Sequence, residues 1–309
     1  MRFTLRQLEV FIAVGQVENV SKAAEALALS QSATSTALGE LERQFDCQLF
    51  DRIGKRLKLN AIGFQLLPKA VSLLDRAEEI EELLQGQTGV GSLDVGATLT
   101  IGNYLAPLLI REFRARHPQS RVRLHVRNTS TIVERVVHHE LDLGLIEGDF
   151  QHEEIVMQPW VADELSVFCA PDHPLAHQSV TMERLLREDW IMREDGSGTR
   201  RTLEQAMRHR HQRFEIQLEL EHTEGIKRAV EARLGIGCVS RLALKDAFRR
   251  GSLAPIHTPD LDLSRQFYFI WHRQKYLTPG LREFLKLCRD TTMHATRSDE
   301  ITFDHLQTS

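Results

Sequence analysis

VSKAAEALALSQSATSTALGELERQFDCQLFDRIGKRLKLN, residues 20–60, holds two helical patterns with almost no room between them. In the first, Ala23, Ala24 and Leu27 recur at helical spacing, and Ser21 is placed to cap it. In the second, Ala33, Ala37, Leu38, Leu41 and Phe45 form an apolar face, with Ser30 as a natural N-cap. So short a linker makes the helices cross sharply, as in a helix-turn-helix, and small alanines permit the close approach. The expected outer face of the second helix carries Gln31, Ser32, Thr34, Ser35 and Thr36. These short hydrogen-bonding side chains near a helix N-terminus suit phosphates and base edges in a major groove. Leu49–Leu59 then reads as two short alternating strands around a Gly turn, with Arg52, Lys55, Arg56 and Lys58 within seven residues. Alone, the helix pair fits any small helical domain, and a basic run is usually a solvated face. A basic hairpin beside a recognition helix, however, has the layout of a wing that grips double-stranded DNA.

The segment Leu5–Gly63, with QLEVF, KAAEAL, SQSATS, LGELERQF and LFDR, resembles the DNA-binding domain of LysR-type transcriptional regulators. Two departures from that pattern bear on mechanism. Thr36 and Ala37 stand where many members carry long donors. Base reading therefore shifts toward Gln31, Ser32, Ser35 and the wing. Asn60-Ala61 replaces the commoner Thr-Pro, and Asn is an equally good cap for the helix that follows.

At 309 residues the chain is long enough for two or three domains. An apolar fraction of 42% with 27% charged residues is that of a globular protein in water. The start, MRFTLR, has no apolar signal region, and no apolar run reaches membrane-spanning length. Cys47, Cys169, Cys238 and Cys288 are far apart, which fits buried reduced thiols in a cytoplasmic protein. The net charge of −4 argues by itself against nucleic acid. Its distribution argues otherwise: residues 1–60 carry +1, and the cations of that domain gather at the wing.

Residues 5–17 place Leu5, Leu8, Phe11 and Ile12 on one helical face, enough to close the core of the first domain. From Ala61 the pattern changes. Leu66, Ala70, Leu73, Ala77, Ile80 and Leu84 follow heptad spacing beside a run of acids. Such a stripe either buries itself in its own domain or pairs with a second copy, and the resemblance implies a dimerising linker helix. Gly86–Gly91 is the expected hinge. The expected domains are thus residues 1–60 for DNA, 61–90 for the linker, and 91–309 for an effector domain.

From Ser92 strands and helices alternate, the grammar of an α/β fold with doubly wound sheets. The chain is expected to leave a first lobe near Ala162 and return near Ser264. That gives lobe I residues 91–162 and 265–290, lobe II residues 163–264, and a loose tail over 291–309. The layout resembles the two-lobed, periplasmic-binding-protein-like (type 2) effector domain of the LysR family.

Catalytic chemistry is not visible. Ser197 sits in GSGTR without a GxSxG elbow, and no HExxH, Walker A loop or GxGxxG follows a strand. No cofactor or metal site is expected. In open α/β sheets ligands bind beyond the carboxyl ends of strands, where helices begin. Three such places carry hydroxyls and amides: Thr98, Thr100 and Ile101; Asn128 and Thr129; and Ser197, Thr199 and Arg200. Together they suit a small anion, although Ser and Thr cap helices everywhere. Glu147 is the awkward neighbour, because a carboxylate beside an anion must be offset by donors or accept a proton from the ligand. LTIGNYLAP, DLGLIEG, REDGSGTR, EGIKRAVEARLGIGCVS and WHRQKYLT resemble the branch of sulfite-responsive and carbon-fixation regulators. That resemblance implies a small anionic effector, sulfite first, with an organic or phosphorylated metabolite as the alternative. It also implies a homodimer through the linker helix, paired into a homotetramer. A ligand-binding protein or enzyme with a fused interaction domain is the reading of a different class.

Overall fold

The computed structural model describes residues 2–54, 56–84, 90–207 and 215–303. Helix α1 (Leu5–Val17) starts in a capping box between Thr4 and Gln7. Helix α2 (Val20–Ala26) is capped by Asn19, which accepts the Lys22 amide, so Ser21 lies inside the helix instead of at its cap. Helix α3 (Gln31–Gln44) starts at Ser30, whose hydroxyl accepts the Ala33 amide at 3.1 Å. Its buried face is Thr34, Leu38 and Leu41, with Ala37 packed against it, so the centre of the expected stripe holds and its two ends do not. Ala33 is exposed, and Phe45, at the C-cap, is 47% exposed. Strands β1 (Phe50–Ile53) and β2 (Arg56–Leu59) pair antiparallel about Gly54 at φ +64°, a left-handed turn that glycine makes without strain.

Helix α4 (Ala61–Leu84) begins at Asn60, whose side chain accepts the amides of Ile62 and Gly63. Gly63 is needed there, because a Cβ would sit 2.3 Å from the Leu49 carbonyl oxygen. The first half of α4 is part of the DNA-binding domain, with Leu67, Ala70 and Val71 packed on Leu8, Phe11, Leu41, Leu49 and Phe50. The heptad stripe therefore begins later than its spacing suggests. Ala70 is core, while Leu73 (38%), Ile80 (57%) and Leu84 (80%) face outward. Most of the expected hinge, residues 86–89, lies outside the described residues.

The rest is a nine-stranded mixed sheet divided between two lobes. In chain order its elements begin with β3 (Ser92–Ala97), α5 (Leu99–Tyr104), α6 (Ala106–Arg116), β4 (Arg121–Val126), α7 (Thr129–Val137) and β5 (Leu143–Glu147). Then come β6 (Ile155–Cys169), α8 (Met182–Leu185), β7 (Trp190–Arg193), α9 (Gly198–Met207), β8 (Ile216–Leu220) and α10 (Thr223–Glu231). The last are β9 (Ile236–Ser240), α11 (Arg241–Arg250), β10 (Ala254–Ile256), β11 (Ser264–His272) and α12 (Pro279–Thr292). Strands β3, β4 and β5 run parallel in lobe I, and β7, β8 and β9 do so in lobe II. Strand β6 is one continuous fifteen-residue strand, and with antiparallel β11 it carries the chain between lobes. Each lobe packs its own apolar core.

The expected loose tail, residues 291–309, is corrected over 291–303, and residues 304–309 lie outside the described residues. Residues 291 and 292 finish α12, Arg297 bridges to Ala162, and Ser298–Glu300 forms a short 3-10 turn. Ile301 and Phe303 then pack in the lobe I core, so burial of two large apolar side chains holds the tail down.

Candidate functional site

Two surfaces carry chemistry. On the first, Gln31, Ser32, Ser35 and Thr36 are exposed along the N-terminal half of α3. Thr34 is not on that face. It is fully buried and its hydroxyl donates to the Ser30 carbonyl at 3.1 Å, because it follows the 34–38–41 core stripe. Arg52 and Arg56 are exposed on the hairpin, with Arg56 3.9 Å from Glu18. The Leu57 amide donates to the Glu18 carbonyl, which fixes the wing against the end of α1. Lys55 lies outside the described residues.

The second surface is the seam between the lobes. Thr98, Thr100, Thr129, Glu147, Ser197 and Thr199 come together there, all buried. The Glu147 carboxylate lies at their centre, at the end of β5. It accepts the Thr100 amide at 2.8 Å and the Thr199 hydroxyl at 3.1 Å, one donor from each lobe. Across the seam the Gly198 amide donates to the Thr129 hydroxyl at 3.2 Å, and Ser130 donates to the Gly196 carbonyl. The approach is so close that a Cβ on Gly198 would lie 2.3 Å from the Glu147 carbonyl oxygen. Asn128 caps α7 by accepting the Thr131 amide, while the Ile101 side chain is committed to the lobe I core.

Arg265 completes the seam, and reading the sequence alone passes over it. Its side chain is 2% exposed, its Nη1 is 2.6 Å from Glu147 Oε2, and its Nε donates to Asp163 Oδ2 at 2.6 Å. It also donates to the Thr199 hydroxyl at 3.1 Å and reaches the Thr100 hydroxyl at 3.5 Å. Asp163 in turn accepts hydrogen bonds from Ser240 of lobe II and Ser298 of the tail. Burial alone would raise the Glu147 pKa, but the cations Arg265 and Arg193, with the Thr100 bonds, bring it to about 2. Burial opposes the Arg265 charge as well, and Glu147 and Asp163 outweigh it. Both groups are thus ionised in a buried site. The sequence did hold a signal: Arg265, Phe267 and Phe269 share one strand phase, as do Val161, Asp163 and Leu165, so two charges sit on buried faces.

Arg200 belongs elsewhere. Its guanidinium is bound to Glu204, Glu219 and the Arg193 carbonyl, an i,i+4 pair and a neighbouring strand that hold it on lobe II.

A winged helix-turn-helix joined by a long helix to two hinged α/β lobes defines a ligand-responsive DNA-binding regulator. Residues 5–64 match the bacterial regulatory helix-turn-helix protein of the lysR family, and residues 86–293 match the LysR substrate binding domain. The chain belongs to the LysR family of transcriptional regulators. It is 43% identical to the HTH-type transcriptional regulator YeiE of Escherichia coli K12, over 93% of this chain and 98% of that protein. It is 33% identical to the RuBisCO operon transcriptional regulator of Allochromatium vinosum, over 95% and 99% of the two chains. Its effector domain is similar to the Synechocystis PCC6803 CcmR regulatory domain in complex with 2-PG. That structure aligns with a TM-score of 0.62 at 28% identity, over 66% of this chain and 99% of that one. Among the described residues no helix is long and apolar enough to cross a membrane.

Proposed function

We propose that the interlobe seam takes a small inorganic oxyanion, sulfite as first choice, and that lobe movement is passed to DNA through the linker helices. One observation carries this reading. The Glu147 carboxylate already occupies the donors an oxyanion needs, held by an amide, a hydroxyl and a guanidinium drawn from both lobes and the hinge. An arriving anion either displaces that carboxylate or brings a proton to share with it. Hydrogen sulfite has such a proton and sulfate does not, so the site discriminates by protonation as well as size. Thr98, Thr100, Asn128, Thr129, Ser197, Thr199 and Arg265 are the proposed ligand shell, with the Ile101 amide in the first turn of α5. A ligand that contacts both lobes favours one lobe arrangement, and that difference is the energy available for signalling. The 2-PG bound to CcmR supports a small anionic ligand and sets the organic alternative.

Calorimetry tests this with sulfite, sulfate, phosphate and carboxylate metabolites on wild type and Thr100→Ala. Sulfite is expected to bind the wild type and to lose about 1.5–3 kcal/mol in the variant, the worth of a bond to a charged partner. An organic metabolite that binds while no oxyanion does would replace sulfite, and undiminished binding by Thr100→Ala would move the site.

At the DNA end we assign phosphate contacts to Arg52, Lys55 and Arg56, and base reading to Gln31 and Ser35, with Ser32 and Thr36 beside them. Two copies pair through the outward stripe of α4, each reading one half-site. Arg56→Ala is expected to weaken cognate and random DNA alike and to lower the salt slope by about one unit. An unchanged slope removes Arg56 from the interface. Ser35→Ala or Gln31→Ala is expected to cost about 1–3 kcal/mol on cognate DNA and little on random sequence, measured by competition binding. Equal losses on both would reduce these residues to positioning.

A further inference from the structure

Among the described residues, the linker helix meets the effector domain at a small joint built on Lys275 and Tyr276. Lys275, in the loop after β11, is nearly buried, with its ammonium 2.8 Å from Asp75 of α4 and 2.7 Å from Asp142 before β5. One residue on, the Tyr276 hydroxyl donates to Glu79 of α4 at 2.9 Å, and Arg76 lies over the Tyr276 ring at 4.6 Å. Asp75 and Glu79 are four residues apart, so both contacts use one face of the helix. Beside this joint, Gln16 of α1 donates to the His139 carbonyl at 2.8 Å, and the His139 ring packs on His272 at 4.0 Å. DNA-binding domain, linker and lobe I therefore meet within two short loops, 138–142 and 272–276.

Those loops are the far ends of the two strands that carry the ion pair in the seam. Asp142 immediately precedes β5, which ends at Glu147; Arg265 opens β11, which ends at His272 just before Lys275. The strands are antiparallel neighbours, with Phe267 opposite Glu147 and Ile270 opposite Gly144. Two hydrogen-bonded strands in a packed core move as one stiff unit, because interiors have little free volume to absorb strain. A ligand that separates Glu147 from Arg265 acts at one end of this unit, and Lys275, held by Asp142, grips Asp75 of α4 at the other.

We propose that Asp75, Lys275, Asp142 and the Tyr276–Glu79 bond form the coupling joint that converts ligand occupancy into a change of linker angle. This rests on the effector seam described above, but the joint itself makes a ligand-free prediction. In the full-length chain, Asp75→Ala combined with Tyr276→Phe removes the ion pair to Lys275 and the hydroxyl bond to Glu79, and leaves Lys275 paired with Asp142 inside the effector domain. Hydrogen exchange without ligand is expected to quicken at residues 72–80 and to stay unchanged in β3 and β9. With sulfite added, calorimetric affinity is expected to match the wild type, while the sulfite-induced change in linker exchange seen in the wild type is lost. Should sulfite fail to bind the wild type, the ligand-free arm decides alone. Unchanged linker exchange in the variant, or a linker response to bound sulfite as large as the wild type's, overturns the joint. Lys275→Met provides the second variant: it is expected to reproduce the loosened linker, and an undisturbed linker there also overturns the proposal.

Discussion

Arg265→Leu is expected to destabilise the chain by about 3–5 kcal/mol, because removing one partner strands a buried charge. Here it strands two, Glu147 and Asp163, which flank a side chain only 2% exposed. Urea unfolding of the full-length protein reads the loss directly. Glu147→Gln in the same chain should restore part of it, since the amide no longer needs a cation. The pH dependence has a definite sign. The Glu147 pKa is brought to about 2, below its ordinary value near 4.5, so its pairing stabilises the fold fully above pH 4.5. That stabilisation fades as pH falls toward 2. In Arg265→Leu the carboxylate is unpaired and buried, so protonation relieves it, and the gap between variant and wild type should narrow on acidification. A loss below about 1 kcal/mol, typical of exposed ion pairs, would mean the seam opens to water in solution.

Leu73→Glu is expected to give the largest loss of DNA binding. Leu73 and Ile80 face outward on α4, one heptad apart, and a charge at that seam opposes pairing of the linker helices. A separated protomer reads one half-site, and affinity should fall about 10²-fold or more as the linked second contact disappears. Sedimentation together with DNA-shift titration checks both effects. A variant that keeps the parent oligomer and binds normally would place the interface elsewhere, whereas Ala70→Glu should unfold the DNA-binding domain, because Ala70 is core.

The contrast between Leu73 and Ala70 shows what one chain can tell about itself. Periodicity located α4 and its apolar stripe, yet it could not say where one domain's core stops claiming that stripe. The wing and the helix-turn-helix were legible because caps, a Gly turn and clustered cations are local signals. Thr34 was misplaced for the same local reason: a hydroxyl looks like a reader of DNA until the neighbouring helices show which face is buried. Reading three helix starts as one seam depended on the α/β grammar, and residues 98–100, 128–129 and 197–199 do converge. Arg200 did not follow, because its partners Glu204 and Glu219 are a helical turn and a strand away. Arg265 lies 118 residues beyond Glu147, and the antiparallel pairing of β11 with β5, which no local signal announces, brings the two together. A loose tail is the expectation from sequence because its two apolar anchors, Ile301 and Phe303, form no helical or strand repeat.

A crystal of the full-length protein soaked in sulfite tests the displacement of Glu147 most directly. Density for the ion is expected between the lobes, within hydrogen-bonding distance of the Thr100 amide and the Thr199 hydroxyl, with the Glu147 carboxylate moved aside or sharing a proton with it. An unmoved Glu147 that keeps its bonds to Thr100, Thr199 and Arg265, with the ion elsewhere or absent, would contradict it.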